Sequence, residues 1–260
     1  KVENWSSRPF WPQGIMRPDS VDPVTPGLDW DLWLGPAPYR PFNKIYQPFV
    51  WRGWFDFGCG AIGDMGCYSF DTIFRVLKLE APEAVEATST KVFPETYPEA
   101  SIIHFYFPAR GSMPPVELNW YDGGLVPPRP EGLDDNYVMT GEPREGLIFY
   151  GDRGTILCGF EGGGPRLLPA SKMKDFKPPA KTLPRSPGHD REWINACKGA
   201  TEKPGANFEF EASVTETILL GNIALRSGKK LHWDHAAFKI TNDDKANQLL
   251  DCSYRGDFKL

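Results

Sequence analysis

Gly58-Cys59-Gly60-Ala61-Ile62-Gly63-Asp64-Met65-Gly66-Cys67-Tyr68-Ser69-Phe70-Asp71 is the stretch from which the fold is read. Its first glycines make a flexible entry, and helical periodicity follows to about residue 79. At about 100° per residue, Ile62, Met65, Ser69, Ile73, Val76 and Leu77 share one side. Asp64, Tyr68, Asp71 and Arg75 gather within about 60° on the other side. The spacing predicts an amphipathic helix of about five turns after the Gly58–Gly60 loop, within 58–79. Its polar stripe holds two carboxylates and a phenol.

Downstream the pattern turns to strands. Ala84–Phe93, Ser101–Phe107, Pro115–Tyr121, Asn136–Thr140, Gly146–Tyr150, Thr155–Phe160 and Arg166–Leu168 all read as extended. Asp122-Gly123-Gly124 and Gly151-Asp152-Arg153-Gly154 supply turns between them. A Lys/Pro-rich loop over 170–188 follows. Helical pattern returns over His189–Lys198, with Gly199 placed to end it, and over Glu209–Ser227, with Gly228 after it. Leu231–Asp234 reads as a short strand, and Lys245–Leu250 as a helical turn. The expected fold class is α+β: an open-faced, mostly antiparallel sheet of about six strands, with helices packed on one face.

Upstream lies an unusual leader, residues 1–58. It holds six of the nine tryptophans: Trp5, Trp11, Trp30, Trp33, Trp51 and Trp54. Prolines are frequent here, and proline removes backbone donors and breaks helices. The leader is expected to be mostly extended and held down by aromatic packing, with one helical turn at Asp29–Leu34 capped by Asp29 or Asp31. No linker or internal repeat is legible, so 1–260 reads as a single α+β unit.

Composition narrows the function. The chain has 260 residues, 40% hydrophobic and 24% charged, with 26 glycines, 26 prolines and a net charge of −5. No basic patch suits a nucleic acid, and Lys172, Lys174, Lys177 and Lys181 sit in the Pro-rich loop. No apolar run approaches the ~20 residues that span a bilayer. No secretory signal is legible, which leaves the compartment open between cytoplasm and periplasm. The five cysteines are odd in number and form no C-x-x-C pair, so reduced thiols are expected rather than a disulfide framework or zinc site. His232-Trp233-Asp234-His235 looks like a ligand run, but a strand alternates its faces and no third ligand is evident, so no metal is expected.

The candidate chemistry sits on the first helix. An acid–base pair needs two titratable groups on one face, and Asp64 with Tyr68 supplies it one turn apart. The alternative is that Asp64 only caps the helix and Tyr68 only covers surface. Arg52, Trp54 and Asp56 adjoin this helix; aromatic faces stack on sugar rings, and a guanidinium bonds hydroxyls or a carboxylate. Asp71 shares the stripe. His189 opens a later helix beside Asp190 and is a candidate pocket residue, whereas His104 lies within the sheet and reads as a packing or interface residue.

Five segments together resemble the Gfo/Idh/MocA family of oxidoreductases. They are Asp-Trp-Asp-Leu-Trp-Leu-Gly-Pro-Ala-Pro (29–38), Trp-Arg-Gly-Trp-Phe-Asp-Phe-Gly (51–58), Gly-Ala-Ile-Gly-Asp-Met-Gly (60–66), Glu-Trp-Ile-Asn-Ala-Cys-Lys-Gly (192–199) and Thr-Glu-Thr-Ile-Leu-Leu-Gly-Asn-Ile-Ala-Leu-Arg (215–226). They span nearly the whole chain and look most like the bacterial sugar-directed branch with a long Trp-rich leader. The resemblance implies an N-terminal Rossmann domain that binds NAD or NADP, followed by a C-terminal α+β domain whose open sheet face often forms a homo-oligomer. It implies hydride transfer at a sugar, inositol or related polyol. Some relatives instead cleave glycosidic bonds through transient NAD-dependent oxidation.

By this resemblance the chain is the substrate-binding half of such an enzyme, inactive by itself. The Rossmann domain and the family's catalytic lysine, in a Glu-Lys-Pro motif, are expected upstream of Lys1. Gly58-x-Gly60-x-x-Gly63 fits nucleotide-loop spacing as letters, but Trp54–Phe57 is a poor buried strand and no βαβ unit follows. Arg8 and Trp11, where the leader leaves the first domain, are candidates to touch nicotinamide or substrate. One departure stands out. The family runs Asp-x-Gly-x-His-x-x-Asp, and this chain has Tyr68 in the histidine position of Asp64-x-Gly66-x-Tyr68-x-x-Asp71. A histidine titrates at ~6.5 and a tyrosine at ~10, so Tyr68 serves as proton acceptor only with a cation beside it, and otherwise binds substrate. A non-catalytic carbohydrate-binding or oligomerisation module is therefore a further reading.

Overall fold

The computed structural model describes residues 1–140, 145–252 and 254–256. Its centre is a nine-stranded sheet in the order β7-β6-β5-β1-β4-β3-β2-β8-β9. The strands are β1 (Val2–Trp5), β2 (Ala84–Ser89), β3 (Ser101–Phe107), β4 (Val116–Tyr121), β5 (Gly146–Tyr150), β6 (Thr155–Cys158), β7 (Arg166–Leu168), β8 (Leu231–Asp234) and β9 (Lys239–Ile240). Only β1 with β4 is parallel; every other neighbouring pair is antiparallel.

Helix α1 (Trp30–Leu34) is the turn expected in the leader, with the Asp29 side chain accepting from Leu32 N at 3.0 Å. Helix α2 (Gly60–Leu77) and helix α4 (Phe208–Ser227) pack on each other and on one face of the sheet. They close at Gly66, where an added Cβ would lie 3.2 Å from Ile218. The α2 face that enters the core carries Ile62, Phe70, Ile73 and Phe74. Val76, expected on that side, is 57% exposed instead. The two phenylalanines pull the buried stripe toward themselves, because each buries more apolar area than a valine.

Alternation along β3 and β4 aims Ile103, Phe105, Phe107, Leu118 and Trp120 at the helices. The opposite face carries Glu86, His104, Tyr106, Glu117 and Asn119, joined by hydrogen bonds: Tyr106 to Glu86 at 2.6 Å, His104 with Asn119 at 2.6 Å, and Asn119 to Glu117 at 2.8 Å. Near β5 and β6 this second face is covered by the 125–140 loop, whose Leu133 and Met139 join Trp5, Tyr121, Ile148, Leu157 and Leu168 in a second apolar cluster.

Several expectations are corrected. Asn136–Thr140 is not a strand; its carbonyls go to side chains, with Trp5 Nε1 donating to Met139 O at 3.2 Å and Arg129 Nη1 to Tyr137 O at 3.0 Å. The strand expected over 84–93 ends at Ser89, and that over 155–160 ends at Cys158. The leader contributes a central strand, β1, that the sequence reading treated as extended leader. Trp30, Leu34, Phe42, Tyr46 and Trp54 form the leader's own apolar cluster. Helices α3 (His189–Cys197) and α5 (Asp244–Asn247) fall where helical pattern was expected. Among the described residues no helix is long and apolar enough to cross a membrane.

Candidate functional site

Helix α2 starts at Gly60 after Cys59, so Asp64 is its fifth residue. Asp64 does not cap the helix. Its Oδ1 accepts from Arg52 Nε at 2.8 Å instead. Arg52 is held in place by a second bond, from Nη1 to Phe49 O at 3.0 Å, and by rings around its guanidinium: Phe49 at 4.3 Å, Trp51 at 4.6 Å and Trp11 at 5.8 Å. A cation over aromatic faces is attracted by their quadrupoles, so the leader presents Arg52 to Asp64 in a restrained pose.

Arg52, Asp64, Phe49 and Trp11 line a cleft of about 630 Å³. Arg8, Trp11, Arg52, Asp64 and Tyr68 all reach it, which brings together five of the residues singled out by sequence. Tyr68 lies one turn beyond Asp64 and is 55% exposed, with its ring at the cleft wall. The sequence reading missed Glu145 and Glu161. Glu145 Oε1 accepts from Ser6 Oγ at 2.6 Å, Ser7 N at 3.2 Å and Arg8 Nη1 at 3.0 Å, which pins the leader where it leaves β1. Glu161 sits in the Gly159–Gly164 loop, tied to α2 by Thr72 Oγ1 donating to Glu161 O at 2.8 Å. The run Gly-Phe-Glu-Gly-Gly-Gly was a legible signal, since glycines flanking an acid and an aromatic mark a close-approach loop. Glu145 carried no such signal.

Four other candidates lie outside the cleft lining. Trp54 is fully buried against Tyr46, with ring centroids 4.8 Å apart. Asp56 pairs with the buried Arg40, whose guanidinium also stacks over Phe57 at 4.8 Å. Asp71 shares the stripe by angle, but seven residues of rise put it about 10 Å along the axis from Asp64. It bonds Arg75 at 2.7 Å beside the segments that flank α3. The His189 side chain is 97% exposed and lies 3.6 Å from Asp190.

The glycine run does not form a nucleotide cradle. A Cβ on Gly58 would meet the Arg52 backbone at 2.6 Å, one on Gly60 the Tyr97 ring at 2.6 Å, and one on Gly63 the Cys59 side chain at 2.1 Å. These glycines make room for protein rather than pyrophosphate. A strand does not precede them either: residues 50–53 form a 3-10 turn. This loop does not fit NAD or NADP.

Residues 8–102 match the model of an oxidoreductase family's C-terminal alpha/beta domain, GFO_IDH_MocA_C2. That segment is similar to an oxidoreductase C-terminal domain, and the α+β architecture around it is consistent with the likeness. Among solved structures, an NAD-binding protein from Listeria innocua is 15% identical, with a TM-score of 0.46 over 71% of this chain and 51% of that one. The protein yvaA from Bacillus subtilis, provisionally named an oxidoreductase, is 13% identical, with a TM-score of 0.34 over 67% of this chain and 53% of that one. The chain spans about half the length of each. No curated protein matches it.

Proposed function

We propose that this chain is the substrate-binding half of an NAD(P)-dependent oxidoreductase that acts on a sugar, inositol or related polyol. The observation that carries the reading is the convergence of Arg8, Trp11, Arg52, Asp64 and Tyr68 on one cleft. Phe10, Trp11, Phe49 and Phe160 give the cleft an apolar lining for the C–H side of a sugar, and the charged groups offer hydrogen bonds to its hydroxyls. A carboxylate has about four acceptor sites, so Asp64 can hold a substrate hydroxyl while bonded to Arg52. The Tyr68 phenol, one turn away, donates to or accepts from a second hydroxyl. The nucleotide belongs to a separate Rossmann domain, since the glycine loop of this chain is filled by its own side chains; only Arg8 and Trp11 are proposed to reach the nicotinamide end. The polar sheet face, with Glu86, His104 and Glu117, is the proposed self-association surface, and light scattering tests it by mass.

The test joins this chain to a Rossmann domain and supplies NAD(P) with a panel of hexoses and inositols. Net NAD(P)H formation that collapses in Asp64→Ala supports the dehydrogenase. Sugar release from glycosides without net redox indicates the glycosidase variant. Two observations favour the binding-module reading: Tyr68 stands where the resemblance places a histidine, and Arg52 already engages Asp64. Saturable sugar binding with no turnover in the joined protein would establish that reading instead.

A further inference from the structure

Two cysteines from opposite ends of the chain meet at one cavity. Cys59 and Cys252 both line a space of about 270 Å³ between α4 and the segment after α5. Cys59 immediately precedes α2 and is held from two sides. Its carbonyl accepts from Asn222 Nδ2 at 2.9 Å, and its side chain lies against Gly63, where an added Cβ would come within 3.6 Å of Sγ.

Cys252 lies in a span of tail that is fixed on both sides. Before it, Leu249 and Leu250 pack against the main core. After it, Arg255 is bonded to the end of α1: its N donates to Pro36 O at 3.0 Å, its Nε to Gly35 O at 2.8 Å and its Nη1 to Asp31 Oδ1 at 2.6 Å. The tail therefore passes the cavity between two anchors, with Cys252 at the wall.

The electrostatics agree with this placement. Desolvation pushes the Cys59 thiol up, and the Cys252 sulfur pushes it further. The Tyr97 phenol, which also lines the cavity, is pushed up by burial and by both sulfurs. The other thiols stand apart: Cys158 is buried, and Cys67 and Cys197 are exposed outside this cavity.

We infer that Cys59 and Cys252 form a reversible disulfide, which ties the C-terminal tail to the start of α2. The oxidant is a low-molecular-weight disulfide such as oxidised glutathione. The Cys252 thiolate attacks one of its sulfurs, breaking the S–S bond and releasing one glutathione thiolate. The Cys59 thiolate then attacks the Cys252 sulfur of the mixed disulfide and releases the second. The two protein thiols are oxidised, the two electrons pass to glutathione, and the two protons leave with the released thiols. Cys252 leads because desolvation keeps Cys59 protonated, and the thiolate is the nucleophile. The bond closes a loop that takes in most of the chain, and it braces the first turn of the helix that carries Asp64 and Tyr68.

The test adds oxidised glutathione to the reduced, folded protein and maps tryptic peptides by mass spectrometry without reduction. The expected product is a single chain that has lost two hydrogens, with peptide 53–75 linked to peptide 246–255. Fragmentation is expected to place the bond at Cys59 rather than Cys67. The link should persist in a roughly tenfold excess of reduced glutathione, vanish with dithiothreitol and raise the melting temperature by about 4 °C or more. Cys252→Ser is expected to leave one glutathione on Cys59 and to abolish that rise. Separate glutathione adducts on Cys59 and Cys252, a link through Cys67 or Cys197, or no loss of thiols would overturn the assignment. Each of these results is read on the unmutated chain, so none depends on a variant folding.

Discussion

Arg40 with Asp56 and Arg52 with Asp64 are the same two functional groups, close together in the chain, bonded through Nη2 in the first pair and Nε in the second. They end in opposite settings. The Arg40 guanidinium is buried beneath Tyr46 and Phe57, in the leader's aromatic cluster. The Arg52 pair is partly open, with its carboxylate at the wall of the cleft. A buried cation fixes the packing around it and is costly to strip of its partners, whereas a pair with both members partly exposed gains little stability and keeps acceptor sites for a ligand. Identical chemistry thus serves architecture in one place and, by our reading, binding in the other.

Arg40→Ala carries the largest expected effect. It removes a buried cation and its stacking on two rings, and should cost about 3 kcal/mol of stability. Denaturant titration checks this, and a loss below about 1 kcal/mol would erase the contrast between the pairs. A third carboxylate sharpens it. Asp122 is buried and accepts from Ser101 N at 2.6 Å and Trp120 Nε1 at 2.9 Å, yet burial outweighs these bonds and pushes it up to about 7. The folded protein then keeps a proton that the unfolded chain releases near pH 4. Stability should therefore fall by up to a few kcal/mol as pH rises from about 4 to 7 and level off above. Asp122→Asn should flatten that slope in melts taken across the same range.

Asp64→Ala should lower sugar affinity, or kcat/KM in the joined protein, about a hundredfold, equivalent to roughly 2.7 kcal/mol, with stability changed by under about 1 kcal/mol. A reversed pattern, stable binding with lost fold stability, would make this pair structural as well. Tyr68→Phe removes one hydroxyl and should cost about tenfold in kcat/KM, roughly 1.4 kcal/mol. Unchanged turnover would leave Tyr68 as a wall residue. The smallest effect belongs to Asp71→Ala. The Asp71–Arg75 pair is half-exposed and one helix turn long, so stability should drop by about 0.5 kcal/mol and turnover should hold.

Much of the helical architecture was legible. The end of α4 followed from Gly228, and the turn of α1 from Asp29, because capping is chemistry between near neighbours. The pairing of Asp64 with Tyr68 on one face followed from helical spacing alone. The central strand β1 did not. Val2–Trp5 is four residues in a Trp/Pro-rich segment, and its partners β4 and β5 lie more than a hundred residues away. Asn136–Thr140 had strand composition but lost its backbone bonds to Trp5 and Arg129 side chains. Among site residues, Trp54 adjoins α2 in sequence yet turns into the leader's core, and Asp56 stays near the surface against Arg40, while Glu145 enters the cleft from beside β5 with no local mark.

The sequence by itself determined the α+β class, the polar stripe of α2 and the aromatic character of the leader, since periodicity, capping and burial tendency act over a few residues. The tertiary structure alone decided which arginine is sealed in the core and which faces the cleft. It also decided that the glycines of 58–63 clear room for Tyr97 and Cys59 rather than for a phosphate. Those outcomes depend on which distant segments cross at each point, and the free energy of such crossings is set by close packing between surfaces that the chain order does not place side by side.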